Sequence, residues 1–372
     1  MTGRVIHFPR PPLSSEAGEA AADRVLRTPI PERAAMAEAL ALEDPETLLA
    51  LCAALRRTME ASPAALREEA EFLYRFLEKP VRDIGLFDER EYFLGETALL
   101  CGAACRQLAR REEAHQWFDR AEAGFRHTIN VVGDLSRLSY QRLAERLEER
   151  QIDFVREMLP PLIDTFRKLD MNDDAVKCRF LEGLALMETD ELGEAIALFQ
   201  EIASEAEALG NARLTAQAYA NLTHIYGMLG DTENAIAASA RAVPPLKRLN
   251  DRVALAKVQW GLATLLRETG KRPAAIGAYR RAQEEFEGLG MRADIAALNL
   301  VVADLLLEEG REVEALREVS AALPVIMELK MAPEGVAALA LVRESVRQQQ
   351  VDRGALRELH GYFQQLPAET NP

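Results

Sequence analysis

Cysteine is scarce, at four in 372 residues. So few do not build a disulfide scaffold. No stretch approaches the roughly 20 uncharged apolar residues that a membrane helix requires. The opening Met1-Thr2-Gly3-Arg4-Val5-Ile6-His7-Phe8-Pro9 carries no long apolar run, which argues against a secretory signal. No alternating Val/Ile/Thr run bounded by hairpin turns is present, so strand signals are nearly missing. Excess positive charge is also lacking. Lys and Arg number 45 against 60 Asp and Glu, a formal charge of −15, which opposes a phosphate backbone. Glycine-rich phosphate loops, HExxH, GxSxG and nucleophile–base arrangements do not occur. The chain is apolar enough, at 48%, to bury a sizeable core and is not a disordered polymer. These features predict an acidic, cytoplasmic, non-enzymatic protein without cofactor or metal.

What the chain does have is a period of forty residues. Leu169, Leu209, Leu249, Leu289 and Leu329 are each 40 apart, and Ile129 fits one step earlier. Gly230, Gly270 and Gly310 keep the same spacing, with Asp190 one step before. So do Ala195, Ala235, Ala275, Ala315 and Ala355, and Ala114 lies 81 residues upstream of Ala195. Three rulers with one period are a structural repeat, because low complexity gives no register.

Each period holds two helices. Leu214, Ala218, Leu222, Ile225 and Tyr226 have helical spacing, and Leu229-Gly230-Asp231 stops the run. A second run from Glu233 to Leu249 is apolar at Ala235, Ile236, Ala238, Ala242, Val243, Leu246 and Leu249. Pro273 and Pro333 stand where a helix begins, and Asp44-Pro45 and Ser62-Pro63 have the cap-then-proline form. Small residues recur where the helices must cross. Gly102, Gly183, Thr223, Ala263 and Ala303 fall on first helices; Ala121, Ala242, Ala282 and Ala322 fall on second ones. They let axes approach to about 8 Å. Tyr226, Leu266, Leu306, Phe118, Phe199 and Tyr279 fill the gaps. A single pair cannot bury its apolar face alone, so the fold expected is an all-α solenoid.

This small-large-small spacing resembles the tetratricopeptide repeat (TPR), in a version of about 40 residues rather than 34. The clearest unit runs from Ala218-Tyr219-Ala220-Asn221-Leu222-Thr223 to Asn234-Ala235, and Trp260 to Ala275 follows it closely. The resemblance implies a right-handed superhelix of stacked antiparallel helix pairs, of a kind found in bacterial signalling regulators. Residues 1–31 read as a disordered or extended leader with a Pro9–Pro12 PxxP spacing, and 32–89 as a helical N-terminal cap. Residues 90–331 read as the repeat array, weakest at 131–171, where Pro160-Pro161 interrupt a second helix. Residues 332–366 read as a C-terminal capping helix pair, with Arg343 in the small position and Val346 in the large one, and 367–372 as a tail. Pro244 and Pro324 share one phase on second helices, which predicts a shared bend.

The resemblance also implies that a protein or peptide segment binds in the groove lined by first helices. The register places Lys177, Phe180 and Leu184 there, then Gln217, Asn221 and His224, then Lys257, Trp260, Thr264 and Arg267, then Asp304. Amides suit a peptide backbone and Trp260 supplies an anchor. The same residues would be ordinary on a solvated helix face. A clamp for a C-terminal carboxylate needs Lys, Asn, Asn, Lys and Arg; Asn221 and Lys257 match, while Phe180, Leu184 and Gly261 do not. Cys101 and Cys105, one turn apart, read as packing residues rather than metal ligands, as do Cys52 and Cys178. His115 lies near the first two in sequence. The function expected is a scaffold or adaptor, or alternatively a peptide-sensing switch whose curvature controls a partner. No nucleic acid or membrane is expected as a partner, and nothing in the sequence indicates homo-oligomerisation.

Overall fold

The structure is a computed structural model. It describes residues 16–29, 32, 45–58, 63–78, 87–328, 342 and 351–365. His7, Pro9–Pro12, Leu329, Pro333, Arg343 and Val346 lie outside the described residues, as do the cap positions Asp44 and Ser62. Sixteen helices and no strand occur among the described residues. They fall into two compact units, Met1–Thr189 and Asp190–Pro372.

The first unit holds α1 (Glu16–Arg27), α2 (Pro45–Thr58), α3 (Pro63–Glu78), α4 (Phe87–Gln107), α5 (Arg111–Phe125), α6 (Val131–Glu148), α7 (Ile152–Lys168) and α8 (Asn172–Glu188). The second holds α9 (Leu192–Ala208), α10 (Ala212–Met228), α11 (Thr232–Arg248), α12 (Arg252–Glu268), α13 (Arg272–Glu287), α14 (Arg292–Glu308), α15 (Glu312–Glu328) and α16 (Arg353–Gln365). Within each unit most helices adjacent in sequence pack on one another as hairpins, with α3/α4, α4/α5, α10/α11, α12/α13 and α14/α15 the most extensive pairs.

The turns explain the period. Left-handed residues recur every 20 positions, at Arg150, Asp170, Asp190, Gly210, Gly230, Asn250, Gly270, Gly290 and Gly310. Five are glycine, which carries no Cβ penalty there; Asp and Asn tolerate the conformation through local bonding. Each turn reverses the chain, so two turns close one forty-residue unit. Three of the helices that follow a turn start on a side-chain cap. Asn211, Asp231 and Asp251 accept from the backbone N–H of Leu214, Asn234 and Ala254 at 3.0, 3.2 and 3.0 Å.

Packing follows the alanine ruler. Ala114, Ala195, Ala235, Ala275 and Ala315 are all fully buried, as are Ala121, Ala242, Ala282 and Ala322. Phe118, Phe199 and Tyr279 fill the spaces between them. At Gly102 a Cβ would lie 2.5 Å from the Phe118 ring, so the crossing accepts no side chain at all.

Two expectations need correction. The leader read as extended holds α1, whose Ala22 and Val25 are buried in one core with Leu48, Leu51 and Leu55 of α2. Its apolar positions are i, i+3 spaced, a helical pattern hidden among alanines and acids. The prolines do not interrupt the second helices. Helix α7 runs through Pro160 and Pro161, α11 through Pro244 and Pro245, and α15 through Pro324. Burial of Leu159, Leu162, Ile163, Ala242, Leu246, Ala322 and Ile326 on either side holds each helix together.

Candidate functional site

Lys177, Phe180 and Leu184 lie on α8, in the first unit. Lys177 donates to Asp174 Oδ1 at 2.9 Å, Phe180 is half-buried, and Leu184 packs against the core of α6–α8. The other eight residues lie on α10, α12 and α14 of the second unit. Each of these helices buries one face, for example Ala218, Leu222 and Ile225 on α10 or Leu262, Ala263 and Leu266 on α12. The groove positions fall on the remaining faces and divide into two groups.

The first group stays accessible. His224 and Lys257 are exposed, and Gln217 and Asn221 are half-buried. Asn221 donates its Nδ2 to the backbone carbonyl of Gln217 at 3.0 Å. That bond to its own helix fixes the amide and turns its carbonyl oxygen away from Gln217.

The second group is engaged by the protein itself. Trp260 is half-buried and meets Phe286 of α13 edge to face, with ring centroids 6.1 Å apart. Thr264 Oγ1 donates to the Trp260 carbonyl at 3.1 Å and shares a hydrogen bond of 3.2 Å with the hydroxyl of buried Tyr279. Thr264 is therefore directed into the α12/α13 pair, because the second helix offers it the polar partner it needs. Asp304 is covered by α16. Its Oδ1 accepts from Arg353 Nε at 2.8 Å, and its Oδ2 accepts from Arg357 Nε at 3.1 Å. Glu308, one turn further, accepts from Arg272 at 2.7 Å and Arg357 at 3.2 Å, and pairs with Arg353. The Arg272 bond and then the Arg353 bond hold the Glu308 carboxyl below its usual range against the opposing effect of burial. His360 of α16 is pushed down by burial and by the charge of Arg267, with Asp304 opposing. Asp304 thus faces α16, and the charge of Arg267 acts on the same helix.

The sequence reading missed Arg272, Glu308, Arg353 and Arg357. A signal existed: Asp304 and Glu308 are four apart, and so are Arg353 and Arg357. It spans about fifty residues and is invisible without the fold.

The first unit contains a buried charge group outside the repeat logic. Glu96 of α4 is wholly buried between Arg56 of α2, which donates its Nε at 2.6 Å, and Arg137 of α6. Burial pushes its carboxyl up, but Arg137 and Arg56 pull it down further, to about 2. The four cysteines are buried and unpaired. Burial pushes the Cys52 and Cys178 thiols up to about 12. His115 pairs with Glu145 at 3.0 Å rather than with Cys101 or Cys105. No group of three potential metal ligands occurs among the described residues, and no helix there is long and apolar enough to cross a membrane.

Comparison with known proteins agrees with the helical-repeat architecture. The family model described as "Soluble NSF attachment protein, SNAP" matches residues 187–322, less than half of the chain. A crystal structure of a Rap protein complexed with competence and sporulation factor is similar at 15% identity and TM-score 0.53, covering 90% of this chain and 98% of that one. The Rap conjugation gene regulator of the plasmid pLS20, in complex with the Phr* peptide, is similar at 14% identity and TM-score 0.50, covering 95% of each chain. No curated protein sequence matches. The chain has the fold of TPR-like helical-repeat proteins, an α-solenoid.

Proposed function

We propose that the chain is a non-enzymatic, peptide- or protein-binding regulator that uses the accessible faces of α10 and α12. The observation that carries this reading is the split between repeat positions. Where the forty-residue register demands packing, the residues are alanine and leucine. Where it does not, Gln217, Asn221, His224 and Lys257 put amides, an imidazole and an ammonium on adjacent helices. Amides satisfy the backbone of an extended segment, and the ammonium favours acidic character near Lys257. Two proteins of similar fold were solved with a competence and sporulation factor and with a Phr* peptide. Both support a peptide as the bound segment. In this reading α10, α12 and α14 of the second unit carry the binding positions, and Lys177, Phe180 and Leu184 hold the equivalent repeat positions on α8 of the first unit. A cytoplasmic location fits a regulator of this kind.

A display library of extended peptides, selected on the full-length chain, tests this. The expected result is a family of peptides whose affinity falls about tenfold or more in Lys257→Glu and several-fold in Asn221→Ala. Selection of no peptide, or of peptides indifferent to both changes, would overturn it.

A further inference from the structure

Helix α16 breaks the pattern of the array. Before it in the second unit, α11 packs on α10 and on α12, and α13 packs on α12 and on α14. Neither α13 nor α15 packs on the first helix of the preceding unit, yet α16 lies on α14. Its position in the chain makes it a second helix, with Ala355 forty residues after Ala315 of α15. Its place in the structure is on the first-helix layer, where Asp304 occupies the repeat position of His224 and Thr264.

The contact has the chemistry of a peptide complex. Arg353, Leu356, Arg357 and His360 follow one another at i, i+3, i+4 and i+7, so they form one stripe of the helix. The arginines meet Asp304 and Glu308, which are themselves one turn apart on α14. Leu356 and Leu359 are fully buried in the core that α12–α15 build, and Ala355 nearly so. Arg353 and Arg357 keep 40% and 57% of their side-chain surface exposed, and exposed ion pairs exchange readily with other cations and water. A thirteen-residue helix is also too short to persist by itself, so its structure depends on this docking.

We propose that α16 is a built-in occupant of the binding face, and that the external partner of this end of the array is a basic amphipathic helix that displaces it. The proposal rests on the peptide-binding reading above and names the chemistry of the partner. Such a helix would carry arginine or lysine at i and i+4 for Asp304 and Glu308, with leucine at i+3 for the site of Leu356. Tethering gives α16 a high local concentration, so a free partner binds with affinity reduced by the fraction of time the site is closed. The array would then respond only to partners that outcompete its own terminus.

The test uses the full-length chain and a labelled synthetic peptide of residues 351–366. Wild type should bind it weakly, because the site is filled. Arg353→Glu with Arg357→Glu should release α16, raise amide exchange across 353–365, and bind the peptide at least tenfold more tightly. Adding Asp304→Arg and Glu308→Arg to that variant should re-dock the reversed helix and abolish peptide binding. No peptide binding by the arginine variant with 353–365 still protected would make α16 a permanent cap and overturn the proposal. Should the arginine variant unfold, wild-type exchange decides. Opening of 353–365 well ahead of 292–308 supports displacement, and simultaneous opening overturns it. A wild-type dimer with exchanged α16 would overturn it in favour of a second copy. Library peptides that need Asn221 and Lys257 but ignore the arginine changes would leave the proposed function standing while this inference fails.

Discussion

Trp260 meets Phe286 edge to face, with the two ring planes at 90°. The register makes Trp260 an anchor for a bound segment, but half of the indole belongs to the core. Its two roles separate by measurement. Trp260→Ala should cost about 2 kcal/mol of stability, less than a fully buried tryptophan because part of the ring already meets water. Asn221→Ala should leave thermal melting nearly unchanged, since the amide bonds only to a carbonyl of its own helix among the contacts seen. A destabilised Asn221→Ala, or an unaffected Trp260→Ala, would show that the two residues have been assigned to the wrong faces.

Glycines inside the helices should divide by what lies above them. A Cβ on Gly124 would stand 2.8 Å from the Glu91 carbonyl oxygen and 2.9 Å from the Gly95 Cα, backbone atoms that cannot swing away. Gly124→Ala should therefore destabilise the chain by about 1–3 kcal/mol through overpacking. Gly261 has nothing within 4 Å of its added Cβ. Gly261→Ala should instead stabilise by about 0.5–1 kcal/mol, the ordinary helix preference of alanine. Chemical denaturation of both variants gives the two signs directly.

Much of this packing was legible in the sequence. Ala235, Ala275 and Ala315 were identified by spacing alone and are fully buried, because a forty-residue repeat forces equivalent residues into equivalent crossings. The halving of that period is not legible in the sequence, since Arg150, Asp170, Asp190 and Asn250 take the left-handed turn that glycine takes elsewhere. Helix α1 was hidden because Ala22 and Val25 give a weak pattern and need the face of α2 to bury them. The engagement of Asp304 by Arg353 and Arg357 was beyond reach for another reason. It depends on α16 leaving the repeat, and a repeat predicts only its own continuation. The hydroxyl of Thr264 bonds with Tyr279, and periodicity carries no information about that bond.

The turns supply a second stability test. Ala109 adopts φ 57°, the left-handed region, on an exposed turn. Ala109→Gly should remove a cost of about 1 kcal/mol, part of which the greater freedom of unfolded glycine offsets. Gly230→Ala, at φ 71°, should lose about as much. Calorimetric midpoints should move in opposite directions.

Acid should find the Glu96 group. Because its folded carboxyl titrates near 2 rather than its usual 4.5, its ionisation favours the folded state. That contribution is complete above pH 4.5 and disappears as pH falls toward 2. Glu96→Gln should abolish this part of the acid dependence. It should also cost about 3–5 kcal/mol at neutral pH, since Arg56 and Arg137 lose their common partner. The difference in unfolding free energy between wild type and Glu96→Gln, followed from pH 6 to pH 2, should therefore narrow on acidification. A constant difference would mean that Glu96 is not held ionised by its two arginines.

The most direct test of peptide binding is where a bound peptide touches. A selected peptide carrying a photo-reactive residue should cross-link to α10 and α12, at residues 217–224 and 257–260. Mass spectrometry of the digested adduct locates the bond. Adducts concentrated on the second helices α11 and α13, or confined to residues 16–148, would contradict binding through the first-helix face.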